Sequence, residues 1–264
     1  MNMNSKHGAV NLLLVVSATA LMTGCIGGTG SLYRSRYASS VPDFLYPRGG
    51  SRITPKESRL PTPLRVGIVF VPGRPAETAA HTYFHGAWRD PGRDYRHDLP
   101  EELRKELLEG IATEFRSHPS AKAVHVLPSA CLTMNGGFAN LDGVRRKYGV
   151  DVVALLSWDQ VHEVRSGALS PTYWTFVGML FVPGEKNVTS TMLDAAVVDI
   201  AGRRMLFRAP GTSDVKSRST PVGWPERIRQ DSGQGFRVAA EDLVVRLQEQ
   251  LKRFEAKAGK DAGN

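Results

Sequence analysis

The sequence predicts an α/β fold, a single domain with a mixed sheet of about six strands in the order β-α-β-α-β-β-β-β-α. Three observations carry it. Apolar runs bounded by turn residues at 66–71, 124–127 and 150–158 read as buried strands, the last so nearly continuous that it must be covered on both faces. Between them, two segments repeat apolar residues at helical spacing. After them come long β-rich segments and a closing amphipathic stretch. Composition agrees: 264 residues, 41% of them hydrophobic, with 34 Lys plus Arg against 26 Asp plus Glu, suit a globular chain. Two cysteines exclude a disulfide framework or a Cys-rich zinc module, and no apolar run reaches the ~20 residues of a spanning helix.

At the amino terminus Lys6 is the only charge before the apolar run from Leu12 to Met22, which is too short to span a bilayer and is followed by Thr23, Gly24 and Cys25. Residues 1–24 therefore read as a secretory signal peptide. Leu21-Met22-Thr23-Gly24-Cys25 resembles a bacterial lipobox, which implies that Cys25 carries lipid, palmitate included, and becomes the new amino terminus. Removing Lys6 with the signal takes the chain's formal +8 to +7. An exported basic chain meets anionic headgroups or acidic glycans before it meets nucleic acid, and no nucleic-acid-binding motif is present.

Residues 25–63 are rich in Gly, Ser, Pro and Arg and read as a flexible basic tether. Within it, Val41-Pro42-Asp43-Phe44-Leu45-Tyr46-Pro47 is apolar enough to dock on the domain or a partner. The domain proper, 64–254, starts with the strand at 66–71. A long polar and aromatic loop, 73–97, precedes a helix with Asp98 as N-cap, Glu101 three residues on, and Leu103, Leu107, Leu108, Ile111 and Phe115 on one face. The strand 124–127 and a helix marked by Leu141, Val144 and Tyr148 follow, the latter capped by Gly149. Beyond the central strand, 172–182 and 188–200 read as a hairpin joined through Gly184-Glu185-Lys186-Asn187, and 205–209 as a further strand. A Ser-, Pro- and Gly-rich loop, 211–235, leads to an amphipathic helix from Phe236 to about Phe254, and 255–264 reads as a disordered tail.

Chemistry is sparse. Ser129 has Leu127 and Cys131 where a nucleophile elbow needs glycines, and no glycine-rich phosphate loop follows any strand. Neither a catalytic residue nor a cofactor is expected. Cys131 reads as a small core residue. His81 and His85, with His97, Asp94 and Asp98 nearby, are the best metal-ligand candidates, and exposed loop histidines are the competing reading. Asp159 and Gln160 follow the central strand at its carboxyl end, where α/β sheets hold ligands, and Tyr173 opens the next segment. These three could line a cleft for a ligand or partner, or Asp159 could cap a turn while Trp158 and Trp174 fill core.

Four stretches together resemble the rhombotarget lipoproteins: Arg65-Val66-Gly67-Ile68-Val69-Phe70-Val71-Pro72, Gly136-Gly137-Phe138-Ala139-Asn140-Leu141-Asp142, the run from Tyr148 to Gln160, and Leu206-Phe207-Arg208-Ala209-Pro210-Gly211. These are bacterial lipoproteins found alongside rhombosortase, a rhomboid-type membrane protease. The resemblance implies a non-enzymatic accessory of surface-protein processing or cell-envelope assembly, with envelope proteins of that system as partners. The loop 73–97 is longer than the family pattern. More loosely, the element order is similar to curli-transporter-type lipoproteins and the TolB amino-terminal domain, which implies an oligomerising assembly protein as an alternative; a metal-dependent enzyme using the His81/His85 loop is a third. Ile26 after the cysteine, in place of the Asp that retains lipoproteins at the inner membrane, implies the outer membrane, facing the periplasm.

Overall fold

The computed structural model describes residues 31–47, 63–73, 77–79, 99–166, 184–220 and 223–262. In chain order these form β1 (Ser31–Ala38), α1 (Val41–Leu45), β2 (Leu64–Phe70), β3 (Glu77–Ala79), α2 (Glu101–Arg116), β4 (Ala121–Val126), α3 (Gly137–Tyr148), β5 (Val152–Ser166), β6 (Glu185–Asp199), β7 (Arg204–Ser219) and α4 (Trp224–Ala262). The mixed α/β reading holds, with seven strands in one sheet.

The long strand β5 organises the sheet. One edge pairs with β6 along its whole length, from Val152 opposite Asp199 to Ser166 opposite Glu185. Its other edge is divided: β2 runs parallel to it from Val152 to Leu156, and β1 antiparallel from Asp159 to Arg165. β4 flanks β2, β3 flanks β1, and β7 flanks β6.

In the half built on β2, both faces are covered. Ile68, Phe70 and Leu156 meet Leu107, Ile111 and Phe115 of α2 and Leu243 and Leu247 of α4, while Val69, Leu155 and Val198 meet Phe138, Leu141 and Val144 of α3. This is why the sequence of β5 is apolar up to Trp158 but for Ser157. In the half built on β1 the described residues cover only one face. There Gln160, His162 and Val164 are buried beneath α4, while Val161 and Glu163 are half-buried and Arg165 is exposed, the alternation of a one-sided sheet.

Two glycines let α4 lie close on the ribbon. A Cβ on Gly211 of β7 would come within 2.1 Å of the Ala239 carbonyl oxygen, and one on Gly235 of α4 within 2.5 Å of Thr191 Oγ1. At the other helix, Gly149 ends α3 at φ +66°, its N–H donating to the Arg145 carbonyl at 2.9 Å. That cap is where the sequence put it.

Several boundaries differ from the sequence reading. Residues 31–45, assigned to the tether, form β1 and α1: β1 is an integral strand, and Val41, Phe44 and Leu45 enter the core with α3. The docking patch at 41–47 is thus accounted for. α2 starts at Glu101 with Pro100 as N-cap and no side-chain cap, and Asp98 lies outside the described residues. The central strand runs eight residues past Trp158, because the β1 ladder pairs its polar continuation. The partner assigned to 188–200 was 172–182, which lies outside the described residues; both edges of β6 are taken by β5 and β7, so that hairpin is replaced by the β6–β7 hairpin turning at 200–203. β7 extends to Ser219 and α4 begins at Trp224, occupying most of the stretch read as a loop, and α4 continues to Ala262 through the stretch read as a tail.

Candidate functional site

Asp159 and Gln160 are neighbours on β5 and so point to opposite faces of the sheet. On the open face, Asp159 accepts a bidentate ion pair from Arg36 of β1, with Nε to Oδ1 at 3.0 Å and Nη2 to Oδ2 at 2.5 Å. Beneath α4, the fully buried Gln160 donates from Nε2 to Thr191 Oγ1 at 2.7 Å and to the Ser232 carbonyl at 3.2 Å, and accepts from Ser232 Oγ at 2.7 Å. The two therefore share no cleft. Cys25, His81, His85, Asp94, His97 and Tyr173 lie outside the described residues.

The place where an open α/β sheet holds ligands is the crevice at the carboxyl ends of its strands, where the strand order reverses. Here β2 is flanked by β4 on one side and β5 on the other, so that crevice lies between Phe70–Gly73 and Leu156–Trp158. It is filled. Trp158, 3% exposed, stacks edge-on to Phe70 with ring centroids 5.7 Å apart, and a Cβ on Gly73 would stand 3.1 Å from the Trp158 ring. Ser39, just past β1, closes the top: its N–H donates to the Trp158 carbonyl at 2.7 Å, its Oγ accepts from the Trp158 N–H at 3.0 Å, and it bridges to Gly73. Arg104 of α2 completes the plug. Its buried guanidinium lies 5.4 Å from the Trp158 ring centre and 5.7 Å from that of Phe70, with hydrogen bonds from Nη1 to Ser129 Oγ and from Nη2 to the Leu99 carbonyl.

A second polar cluster lies between the ribbon and the first half of α4. His162 Nδ1 and Thr189 Oγ1 are 2.9 Å apart, Asn187 Nδ2 donates to Ser219 Oγ at 3.0 Å, and Ser217 Oγ donates to Asp231, whose carboxyl is pushed up by burial. A histidine against a hydroxyl is the start of a nucleophilic site. Both His162 and Thr189 are 0% exposed under the helix, so no substrate reaches them, and the cluster serves as a hydrogen-bonded seam. At the far end of the seam the buried Glu185 has its pKa pushed up to about 7 by desolvation.

Other candidate chemistry among the described residues is equally closed. The thiol of Cys131 is half-buried against the α3 core, and burial pushes its pKa up, away from a reactive thiolate. Between α4 and the amino ends of β2 and β4, a cavity of about 20 Å³ is lined by Leu64, Phe115, Phe207, Leu251 and Phe254, with room for about one water. Among the described residues no group of three or more His, Cys, Asp or Glu is placed to hold a metal ion, and no helix is long and apolar enough to cross a membrane. Sequence reasoning missed Arg104. Its signal was a lone cation on the stripe that continues through Leu108, Ile111 and Phe115.

The chain matches no protein-family model and no curated protein. Solved structures similar to it include a neuraminyllactose-binding hemagglutinin homolog from Helicobacter pylori, with 13% identity and a TM-score of 0.39 over 82% of this chain and 97% of that one. Dodecameric PelC from Paraburkholderia phytofirmans has 9% identity and a TM-score of 0.25 over 72% and 94%. A DUF330 protein from Xanthomonas campestris has 12% identity and a TM-score of 0.25 over 81% and 97%.

Proposed function

We propose that this protein is a lipid-anchored bacterial envelope protein that works by contacts with other macromolecules at the bilayer surface, not by catalysis, as an accessory in rhombosortase-linked surface-protein processing. The observation that carries the non-catalytic part is the plug of Arg104, Phe70 and Trp158 in the crevice where an α/β enzyme would hold its substrate. Lipid anchoring rests on the lipobox-like Leu21–Cys25, and the rhombosortase setting on the four stretches between Arg65 and Gly211.

One of the sheet edges through which the chain could oligomerise, that of β7, is partly closed. On the outer edge of β7 the Thr212 N–H is already bound by Asp242 of α4 at 2.9 Å, and Pro210, two residues back on the same edge, has no N–H to offer. Two consecutive donors are thus withdrawn from edge-to-edge pairing with a second copy.

Cys25→Ser with radiolabelled palmitate tests the anchor: label should disappear and the domain should leave the membrane fraction, and label persisting on the variant sinks the idea. Cross-linking in membranes, followed by capture of the intact protein, tests the partner. Rhombosortase or one of its substrates should be recovered, and recovery of neither overturns that setting. Stoichiometric metal in untagged protein, lost on replacing His81 and His85 together, would restore the enzyme reading.

A further inference from the structure

The open face of the ribbon carries an arrangement that a sheet ordinarily avoids. At the end of the ribbon where β5 finishes, β6 starts and β7 finishes, Arg165 is directly opposite Lys186, and Lys186 directly opposite Arg218. Residues directly opposite share a face, so three exposed cations stand side by side on neighbouring strands, where like charges destabilise the pairing. One row further in, Arg34, Glu163, Val188 and Lys216 lie across the same face. The two rows hold five cations against one carboxylate, Glu163, whose ion pair to Arg165 spans 2.9 Å. The connection 167–183, between β5 and β6, adds no charged residue by sequence.

The position of this rim matters as much as its charge. Ser31, the first residue of β1, is paired with Arg165 in the same end row. Only residues 26–30 separate it from Cys25, a span of about 20 Å when fully extended. The tether read from composition would have let the domain roam. With Cys25 lipid-anchored, a spacer of that length would keep the cation rim within about 20 Å of the bilayer.

We propose that the rim formed by Arg165, Lys186, Lys216 and Arg218 docks on the phosphate headgroups of an anionic phospholipid surface, which holds the ribbon end-on to the membrane. The proposal rests on the anchoring reading for its geometry and adds the surface that meets the lipid. Headgroup phosphates supply the charge that the row lacks, and so convert a cross-strand repulsion into a binding surface.

The test uses the mature chain with Cys25→Ser, so that acyl chains do not mask the contact, sedimented with vesicles of phosphatidylcholine with and without phosphatidylglycerol. Binding is expected only with phosphatidylglycerol, falling as salt rises, and Lys186→Thr with Arg218→Thr should weaken it about 30-fold. Lys252→Ser with Arg253→Ser, the same charge change at the far end of α4, should leave it within about twofold if the rim is what binds. If the first pair does not fold, Lys216→Glu alone reads the same loss. Equal weakening by both pairs, binding indifferent to phosphatidylglycerol, or displacement by millimolar inorganic phosphate, which would mark a site for free phosphate, each overturns the proposal. Failure of the anchor is read separately: vesicle binding that persists while Cys25 takes no label removes the anchor and leaves the rim.

Discussion

Gly211 of β7 and Leu243 of α4 meet with no space for a side chain between them. A Cβ on Gly211 would stand 2.6 Å from the Leu243 Cβ and 2.5 Å from its backbone nitrogen. The obstacle is backbone, so nothing can rotate aside. Gly211→Ala should lift α4 from the ribbon and cost about 1–3 kcal/mol or more in urea unfolding. Gly110, exposed in α2, is the counterpart, since a Cβ there would meet nothing within 4 Å: Gly110→Ala should gain up to about 1 kcal/mol. A Gly211→Ala protein as stable as the Gly110→Ala one would mean that the helix–ribbon contact is not as close as described.

Leu155 lies in β5 between β2 and β6, opposite Val69 and Ala196, and is 0% exposed. Truncation to Ala should cost about 2–5 kcal/mol, the loss of burial plus the cavity left in a core that α3 closes from one side. Chemical denaturation with an unchanged m-value checks it.

Glu185 titrates near pH 7 in the folded chain against an ordinary value of 4.5, because burial disfavours its carboxylate. Between those values the folded state holds more protons than the unfolded one, so the contribution of Glu185 is full below about pH 4.5, falls as pH rises through 7, and is level above. Glu185→Gln, which keeps the neutral form at every pH, should therefore be stabilising at pH 8 by as much as about 3 kcal/mol and nearly neutral at pH 4. Melting curves at the two pH values decide it.

Asp151 behaves in the opposite sense. It is 5% exposed, gripped by Arg65 through Nη2 to Oδ1 at 2.7 Å and Nε to Oδ2 at 2.9 Å, and that guanidinium lowers its pKa below the usual 3.8. Its stabilisation is present above pH 3.8 and is lost as pH falls through the folded value. Asp151→Asn should cost about 1–3 kcal/mol at pH 7, with the difference from wild type narrowing in acid unfolding.

How much of this was written in the sequence depends on where contacts are local. The helical stripe of α2, the Gly149 cap and the apolar half of β5 are local patterns, and each appears where periodicity and turn chemistry put it. β1 was invisible because Tyr-Arg-Ser-Arg-Tyr alternates weakly, and its strand character comes from the waiting edge of β5. The same long-range ladder hid the second half of β5: Asp159, His162 and Glu163 resemble a polar turn until β1 and β6 pair both sides. Arg104 was passed over because an arginine on an apolar stripe gains its role only from Phe70 and Trp158, which are distant in sequence. The cation row was equally hidden, since Arg165, Lys186 and Arg218 become neighbours only through register.

The shared edge of β5 also decides how the domain bears load. For a chain held at residue 30, tension enters through Ser31 and runs along β1, whose hydrogen bonds to β5 lie across the direction of pull. Those bonds are strained together in shear, instead of parting one after another as a peeled hairpin does. β5 in turn passes the force down its full length to β6 and, through its other half, to β2. A pull on that end is therefore shared across the sheet through β5 before any one strand can part from it.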